Sequence, residues 1–521
     1  MNGLDSHAEV MGEQSLNQLL CGSGSTERAA ALQFSFKSIH LDLSKQRLSS
    51  ETLPLLAQWL KSCGFEEKRR ALFAGEAVNR SENRAAQHMA ARWPSGLAPP
   101  KGMEPAVDLC LAQRDLLARL VGQVHSGAWT GITGQAFTDV VNIGVGGSDL
   151  GPKLVSEALG DIGGQRYVRV HYVSTMDGSQ LLPLMGTLNP ATTLVVLASK
   201  SFTTADTQFN MRTALAWLCD GLGVSEQSVL QRQVLGVSAR PEKMAQFGIP
   251  EQRRLVFPES VGGRFSLWSA IGVGVALELG VEVFNELLAG AHEVDHHFLE
   301  APLTSNLPVL LGTVGAWNSQ YLGIPSHVVL PYDGRLKSLA PYLQQLEMES
   351  NGKSLNEHGL PVAHATCPIL WGDIGPNAQH AFYQLLHQGS HTVSADFIAV
   401  AQRGVSVPWA VAGCLEDQQA LTLANCLAQS QLFALGDAAI PETLKDQIFS
   451  GYRGNHPNTV ILLETLTPAS LGALLAIYEH KVFVQSVLWG LNPFDQPGVE
   501  LGKKLASSLY ETLVKPEPQL N

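Results

Sequence analysis

The chain has 521 residues, 45% of them hydrophobic and 16% charged, enough for two or three domains with sizeable cores. A formal net charge of -12 and a pI near 5.7 argue against nucleic acid or an anionic membrane as the general partner, so any anionic ligand must be held locally. Seven cysteines, odd in number and without a Cys-x-x-Cys pair, argue against a disulfide framework or a structural zinc site and fit reduced thiols of a cytoplasmic protein.

The N-terminus, MNGLDSHAEVMGEQ, lacks the basic start and apolar run of a secretory signal, and residues 1 to about 30 read as a frayed polar arm. From Ser50 to Arg92 the pattern is helical: LPLLAQWLKSCG closes on Gly64, and Ser81 to Arg84 open a further segment that carries His88, whose default role is packing. Trp93 to Gly102, with three prolines and two glycines, is a loop, and Val107 to His125 is another helix. The rhythm then changes. Asp139 to Leu159 reads as a buried strand, a Gly-rich turn and a helix; Thr192 to Trp217 repeats the unit with a hydroxyl-rich turn. Trp268 to Phe284 is the most apolar region, but Glu278 and Glu282 interrupt it, and it falls short of the ~20 apolar residues of a membrane span.

After about residue 290 the alternation continues, which predicts a second α/β domain. Its expected strands are 327–330, 368–371, 397–400 and 459–463, with helices led by Ser338, Gln379, Asp417 and Ala469. A turn through Pro493 to Gly498 leads into a closing helix, VELGKKLASSLYETL. Buried strands alternating with helices make parallel sheets, whose ligands lie beyond the carboxyl ends of the strands.

Two strand-to-helix turns have the makings of anion sites. Gly144, Gly146 and Gly147 allow close backbone approach, Ser148 adds a hydroxyl, and the helix behind presents free N–H groups. Asp149 in place of a third glycine, and no following Lys, exclude a dinucleotide fingerprint and a P-loop. Ser199-Lys200-Ser201-Phe202-Thr203-Thr204-Ala205-Asp206-Thr207 is richer: ordinary capping explains one hydroxyl, whereas a phosphate monoester can use all of them. Arg264, directly after Gly262 and Gly263, is a permanent cation suited to an oxyanion, with a structural ion pair as the alternative.

In YLQQLEMESNGK, Leu339, Tyr342, Leu343 and Leu346 recur at helical spacing, and Asn351-Gly352 predict an exit through a left-handed cap. Gln345 and Glu349 then share a face from which Glu347 is turned away. The negative helix end should raise the proton affinity of Glu349, which suits a general base; a solvated last-turn glutamate is the alternative. Gln379 to Gly389 reads as one helix with His380 near its positive start, which should keep that imidazole neutral, and with His387 as a structural residue. Lys503 and Lys504 on the closing helix fit a solvated face.

Taken in order, IGVGGSDLGP, SKSFTTADT, VGGRFSLWSAIG, QLEMESNGK, NAQHAFYQL and FDQPGVELGK resemble the glucose-6-phosphate isomerase (phosphoglucose isomerase) family, and the similarity runs from about Phe36 through Lys503. The resemblance implies an α/β fold of two sugar isomerase domains, each an α/β/α sandwich around a parallel sheet, with boundaries near 120, 290 and 489 separating an N-terminal helical region, the two domains and a C-terminal helical arm. It implies a cytoplasmic homodimer with shared active sites that interconverts glucose 6-phosphate and fructose 6-phosphate without metal or organic cofactor, with neither nucleic acid nor membrane as partner. By motif position, Ser148, Ser199, Ser201 and Thr204 would bind the phosphate with Lys200 and Thr207 nearby. Glu349 would be the base, and Arg264, after Gly263, would stabilise the enediolate. His380, reaching in from the partner subunit, would open the ring, with Lys503 at the ring oxygen or hydroxyl and Gln345 and Gln496 on the sugar. Ser201 and Asp206 stand where the family commonly has Thr and Glu, Phe265 where Tyr is frequent and Pro497 where an aromatic is common; serine keeps the hydroxyl. An isomerase of a related sugar phosphate and a non-catalytic sugar-phosphate sensor are the alternatives.

Overall fold

The computed structural model describes residues 2–161, 166–404, 409–446 and 451–514. Two parallel-cored sheets organise the chain. The N-terminal strands β1 (Gln33–Phe36) and β2 (Ile39–Asp42) form a hairpin whose turn places Lys37 in the left-handed region. Next come β3 (Asp139–Ile143), β4 (Arg169–Val173), β5 (Thr193–Ala198), β6 (Val234–Ser238) and β7 (Arg254–Val256), which pair in parallel in the order β4-β3-β5-β6-β7. The wholly buried runs of β3 and β5 lie inside this sheet, as their largely apolar character requires, although β3 buries Asn142 as well. The second sheet takes β8 (Ser326–Pro331), β9 (Ile369–Gly372), β10 (Ser394–Gln402) and β11 (Asn458–Thr465) in the order β1-β2-β11-β10-β8-β9. Its last four strands are mutually parallel, but β2 adds antiparallel to β11, so this sheet is mixed and not the parallel sheet expected.

The centre of the molecule is the helix Pro468–Trp489, which packs on the helices Val281–Glu300 and Leu307–Ala316. Glycine makes the first contact possible: a Cβ on Gly290 would lie 1.9 Å from the Ala469 carbonyl oxygen, and one on Gly472 2.0 Å from that of Leu287. Among the described residues this 22-residue helix alone is long and apolar enough to cross a membrane, yet all of it is buried in protein. At its midpoint three successive ionisable residues are buried and paired: Glu479 with Arg92, His480 with Asp295 at 2.7 Å and Lys481 with Glu347 at 2.6 Å.

Several local expectations are corrected. The first 30 residues are not a frayed arm: helices Asn2–Glu13, Leu16–Cys21 and Ser25–Ala31 bury Met11 and Leu16, and Leu16 N–H donates to Asn455 Oδ1. The segment before Trp93 is no α-helix but a 3₁₀ turn, His88–Arg92, because burying Arg92 against Asp295 and stacking His88 on Phe265 outweigh helical propensity. The helix expected at Asp417 already runs through Trp409–Leu435. Asn351 and Gly352 leave the base segment without a positive φ; the Gly352 N–H closes instead on the Met348 carbonyl at 2.8 Å.

Candidate active site

The site assembles where turns beyond the carboxyl ends of β3 and β5 meet the segment after β8. Gly146, with φ of 57°, turns the chain after β3. A Cβ on Gly147 would sit 1.8 Å from the Gly263 carbonyl oxygen, and one on Gly146 2.8 Å from Gln345 Nε2. Two glycine turns therefore touch backbone to backbone, which brings Ser148, Gly263 with Arg264, and Gln345 together from three distant parts of the sequence.

The hydroxyl-rich turn after β5 is internally braced. Ser199 Oγ accepts from the Phe202 N–H at 3.1 Å and lies 3.3 Å from Thr204 Oγ1; Ser201 Oγ accepts from the Thr203 hydroxyl at 3.0 Å. Phe202, buried and with φ of 57°, holds a left-handed conformation that is uncommon for a bulky residue. Thr204 precedes the helix Ala205–Leu222, and among the described residues its side chain makes no capping bond, which leaves the first-turn amides to an anion. Thr207 is buried and donates its hydroxyl to the Thr204 carbonyl at 2.8 Å. Lys200 is half-buried, and desolvation, with repulsion from Arg84, pushes its ammonium down to about 8.

Arg264 is buried and acts as a hub. Its Nε donates to Ser350 Oγ at 2.7 Å, Nη1 to Gln496 Oε1 at 3.0 Å, and Nη2 to the carbonyls of Pro493 and Asp495. Its Nη1 also stands 3.7 Å from Glu349 Oε2. Burial lowers the Arg264 pKa, opposed by Glu349 and Asp495. Of five guanidinium hydrogens, one on Nη1 is left free by these bonds among the described residues, on the side of Glu349. A half-buried carboxylate beside a spare cationic donor can move a proton and hold the charge that results.

Residues 42–519 match the family described as phosphoglucose isomerase. The chain belongs to the phosphoglucose isomerase family. It is 50% identical over 486 residues to the glucose-6-phosphate isomerase 2 of Chromohalobacter salexigens, covering 91% of this chain and 86% of that one. A glucose-6-phosphate isomerase of Psychrobacter cryohalolentis is 49% identical, over 91% of this chain and 87% of its own. The crystal structure of a glucose-6-phosphate isomerase from Chlamydia trachomatis superposes with a TM-score of 0.86 at 29% identity, over 99% of this chain and 96% of that one.

Of the residues that resemblance to phosphoglucose isomerases singles out, Ser148, Gly263, Arg264, Gln345, Glu349 and Gln496 gather in one chain. The turn Ser199–Thr207 lies close enough for Arg264 to act on the Lys200 charge. His380 and Lys503 are exposed, and Lys503 pairs with Glu500 on its own helix at 2.9 Å. The His380 expectation is corrected in its local structure: a short helix, Gly375–Gln379, ends on His380, and a second, Tyr383–Gln388, begins after Phe382. The imidazole thus follows a helix C-terminus. Gly375, at the start of the first helix, seats backbone on the Tyr332 ring, where a Cβ would meet Cε2 at 2.1 Å. Sequence reasoning missed Ser350 and Lys353. Lys353 Nζ binds Asp495 Oδ1 at 2.5 Å and so pins the turn that carries Gln496; no periodicity signals either contact.

Proposed function

We propose that this chain interconverts glucose 6-phosphate and fructose 6-phosphate through ring opening and a cis-enediol, the activity that its curated relatives carry in their names. The observation that carries the reading is the Glu349 carboxylate 3.7 Å from a buried Arg264, beside two turns built for an anion. Ser148, Ser199, Lys200, Ser201, Thr204 and Thr207 form the phosphate end, with hydroxyls and helix amides supplying what an acidic chain cannot supply by net charge. Gln345, Gln496 and the Gly263 backbone orient the sugar. Glu349 takes the proton from one carbon and returns it to its neighbour, and the spare Nη1 hydrogen of Arg264 stabilises the enediolate oxygen.

His380 and Lys503 complete the site for ring opening when two chains combine in a cytoplasmic homodimer, with His380 coming from the partner subunit. Two features support that assembly. His380 is exposed, and the helix Glu500–Val514 carries an uncovered apolar stripe, Leu501, Leu505, Leu509 and Leu513, each at least 57% exposed.

The deciding experiment is a coupled assay from fructose 6-phosphate to glucose 6-phosphate on purified protein with a chelator present. Glu349→Gln should bind sugar phosphate normally and lose turnover by roughly 10²–10⁴. Near-normal kcat in that variant would sink the base assignment, and an inactive wild type would sink the whole reading.

A further inference from the structure

The segment that carries Glu349 is not an α-helix. Leu339–Leu343 is α-helical, but Gln344–Glu349 forms a π turn. Such turns are rare, are concentrated at functional sites, and persist where their surroundings hold them. Here two neighbours do so. On one side β9 contributes the Leu370 carbonyl, which accepts from Gln344 Nε2 at 3.4 Å, and the Leu370 N–H, which donates to Met348 Sδ at 3.4 Å. On the other, the helix Pro468–Trp489 makes two successive contacts: Lys481 Nζ donates to Glu347 Oε2 at 2.6 Å, and the Val482 carbonyl accepts from Asn351 Nδ2 at 3.0 Å.

The Lys481–Glu347 pair is an odd choice for stability alone. The two side chains are 3% and 1% exposed, and Glu347 Oε1, equally buried, has no hydrogen-bond partner among the described residues. Burial works against the Lys481 charge, but Glu347 and Asp396 outweigh it and hold the ammonium above its ordinary pKa. Asp396 is itself engaged, accepting from the Tyr478 hydroxyl at 2.9 Å and lying 3.1 Å from His327 Nε2. Buried ion pairs of this kind can often be exchanged for apolar residues at no loss of stability. What the pair does that apolar side chains cannot is fix direction: it pulls Glu347 inward at one angle, and Glu349, two residues on, is left facing Arg264.

We propose that Lys481 and Glu347 are positioning residues for the isomerisation, setting the register of the π turn and so the aim of the Glu349 carboxylate. The proposal rests on Glu349 being the base. Small misplacements of a reacting group can cost about 10²-fold in rate, so the effect belongs in kcat.

The test compares full-length wild type, Glu349→Gln and the double variant Lys481→Met/Glu347→Leu, which keeps volume, removes both members of the pair and leaves Asp396 its His327 and Tyr478 partners. The double variant should melt at or above the wild-type temperature, keep KM for fructose 6-phosphate within about twofold and lose kcat by about 10- to 100-fold. A folded double variant with kcat within twofold of wild type would overturn the proposal and leave the isomerase reading intact. A wild type without isomerase activity, or a Glu349→Gln variant with normal kcat, would remove the base and the proposal with it. Should the double variant not fold, Lys481→Met/Glu347→Gln removes the same ion pair with the side-chain outline kept, and the same kcat criterion decides.

Discussion

Replacing Arg264 by Lys asks whether the site needs a positive charge or a planar fork. The wild-type guanidinium donates in three directions at once, to Ser350, to Gln496 and to two carbonyls of the Pro493–Asp495 turn, and keeps one hydrogen toward Glu349. An ammonium offers three donors from a single point and cannot span those acceptors. With acceptors left unserved, the cation is no longer held in place, and loss of the one donor aimed at the enediolate oxygen costs about 3 kcal/mol, or roughly 10²-fold in kcat/KM. Most of it should fall on kcat, because the enediolate charge exists only on the way between substrate and product. The assay is initial-rate conversion of fructose 6-phosphate, coupled to oxidation of the glucose 6-phosphate formed, with stability followed in parallel. A kcat/KM within fivefold of wild type would show that charge alone suffices, and the fork argument would be wrong.

Mixing inactive His380→Ala and Glu349→Gln chains under conditions of subunit exchange should restore activity toward about a quarter of wild type, since half the dimers would carry one intact site; no recovery after confirmed exchange would count against shared sites. For Lys200 the sign is that of a lowered base: the free protein loses this charge as pH rises through about 8, so KM for the sugar phosphate should climb above that pH, and Lys200→Met should flatten the climb. The same shift means the unfolded chain binds more protons between about 8 and 10.5, so this group makes stability rise across that window, and a pH series of denaturation midpoints would show it. Arg92→Met leaves the Asp295 and Glu479 carboxylates buried without their cation and should cost about 3–5 kcal/mol in chemical denaturation; a loss under 1 kcal/mol would mean that water enters the core there.

The sheets were legible because β5, β8, β10 and β11 are inner strands with continuous apolar runs and inner β3 is interrupted only by Asn142. Five strands escaped notice, β1 and β2 having only four residues each and the other three for reasons of their own. β4 is an edge strand whose RVHYV mixes charge with β-branched residues, β6 carries Gly236 where Met244 and Ile249 crowd the backbone, and β7 has three residues. Arg264 lies 3.7 Å from Glu349 and Gln345 meets Gly146, contacts between segments far apart in the chain that local spacing does not encode. The π turn and the break at His380 were not legible. The first is set by partners far along the chain, Lys481 lying 134 residues from Glu347, and neither changes the pattern of apolar residues. Glu347 was rightly turned away from Glu349, but a polar residue facing away reads as solvated until its buried partner is known.

The helix Pro468–Trp489 has a consequence for biosynthesis. In chain order it follows every strand of both sheets, yet the buried Glu347 finds its cation only there, at Lys481, whereas Arg92 and Asp295 pair with each other. As the polypeptide leaves the ribosome, Glu347 must stay hydrated until Lys481 arrives, so the segment that carries it cannot close over a dry interior. Consolidation is therefore deferred until translation has passed residue 489, and a nascent chain stalled short of it exposes apolar surface that chaperones would engage.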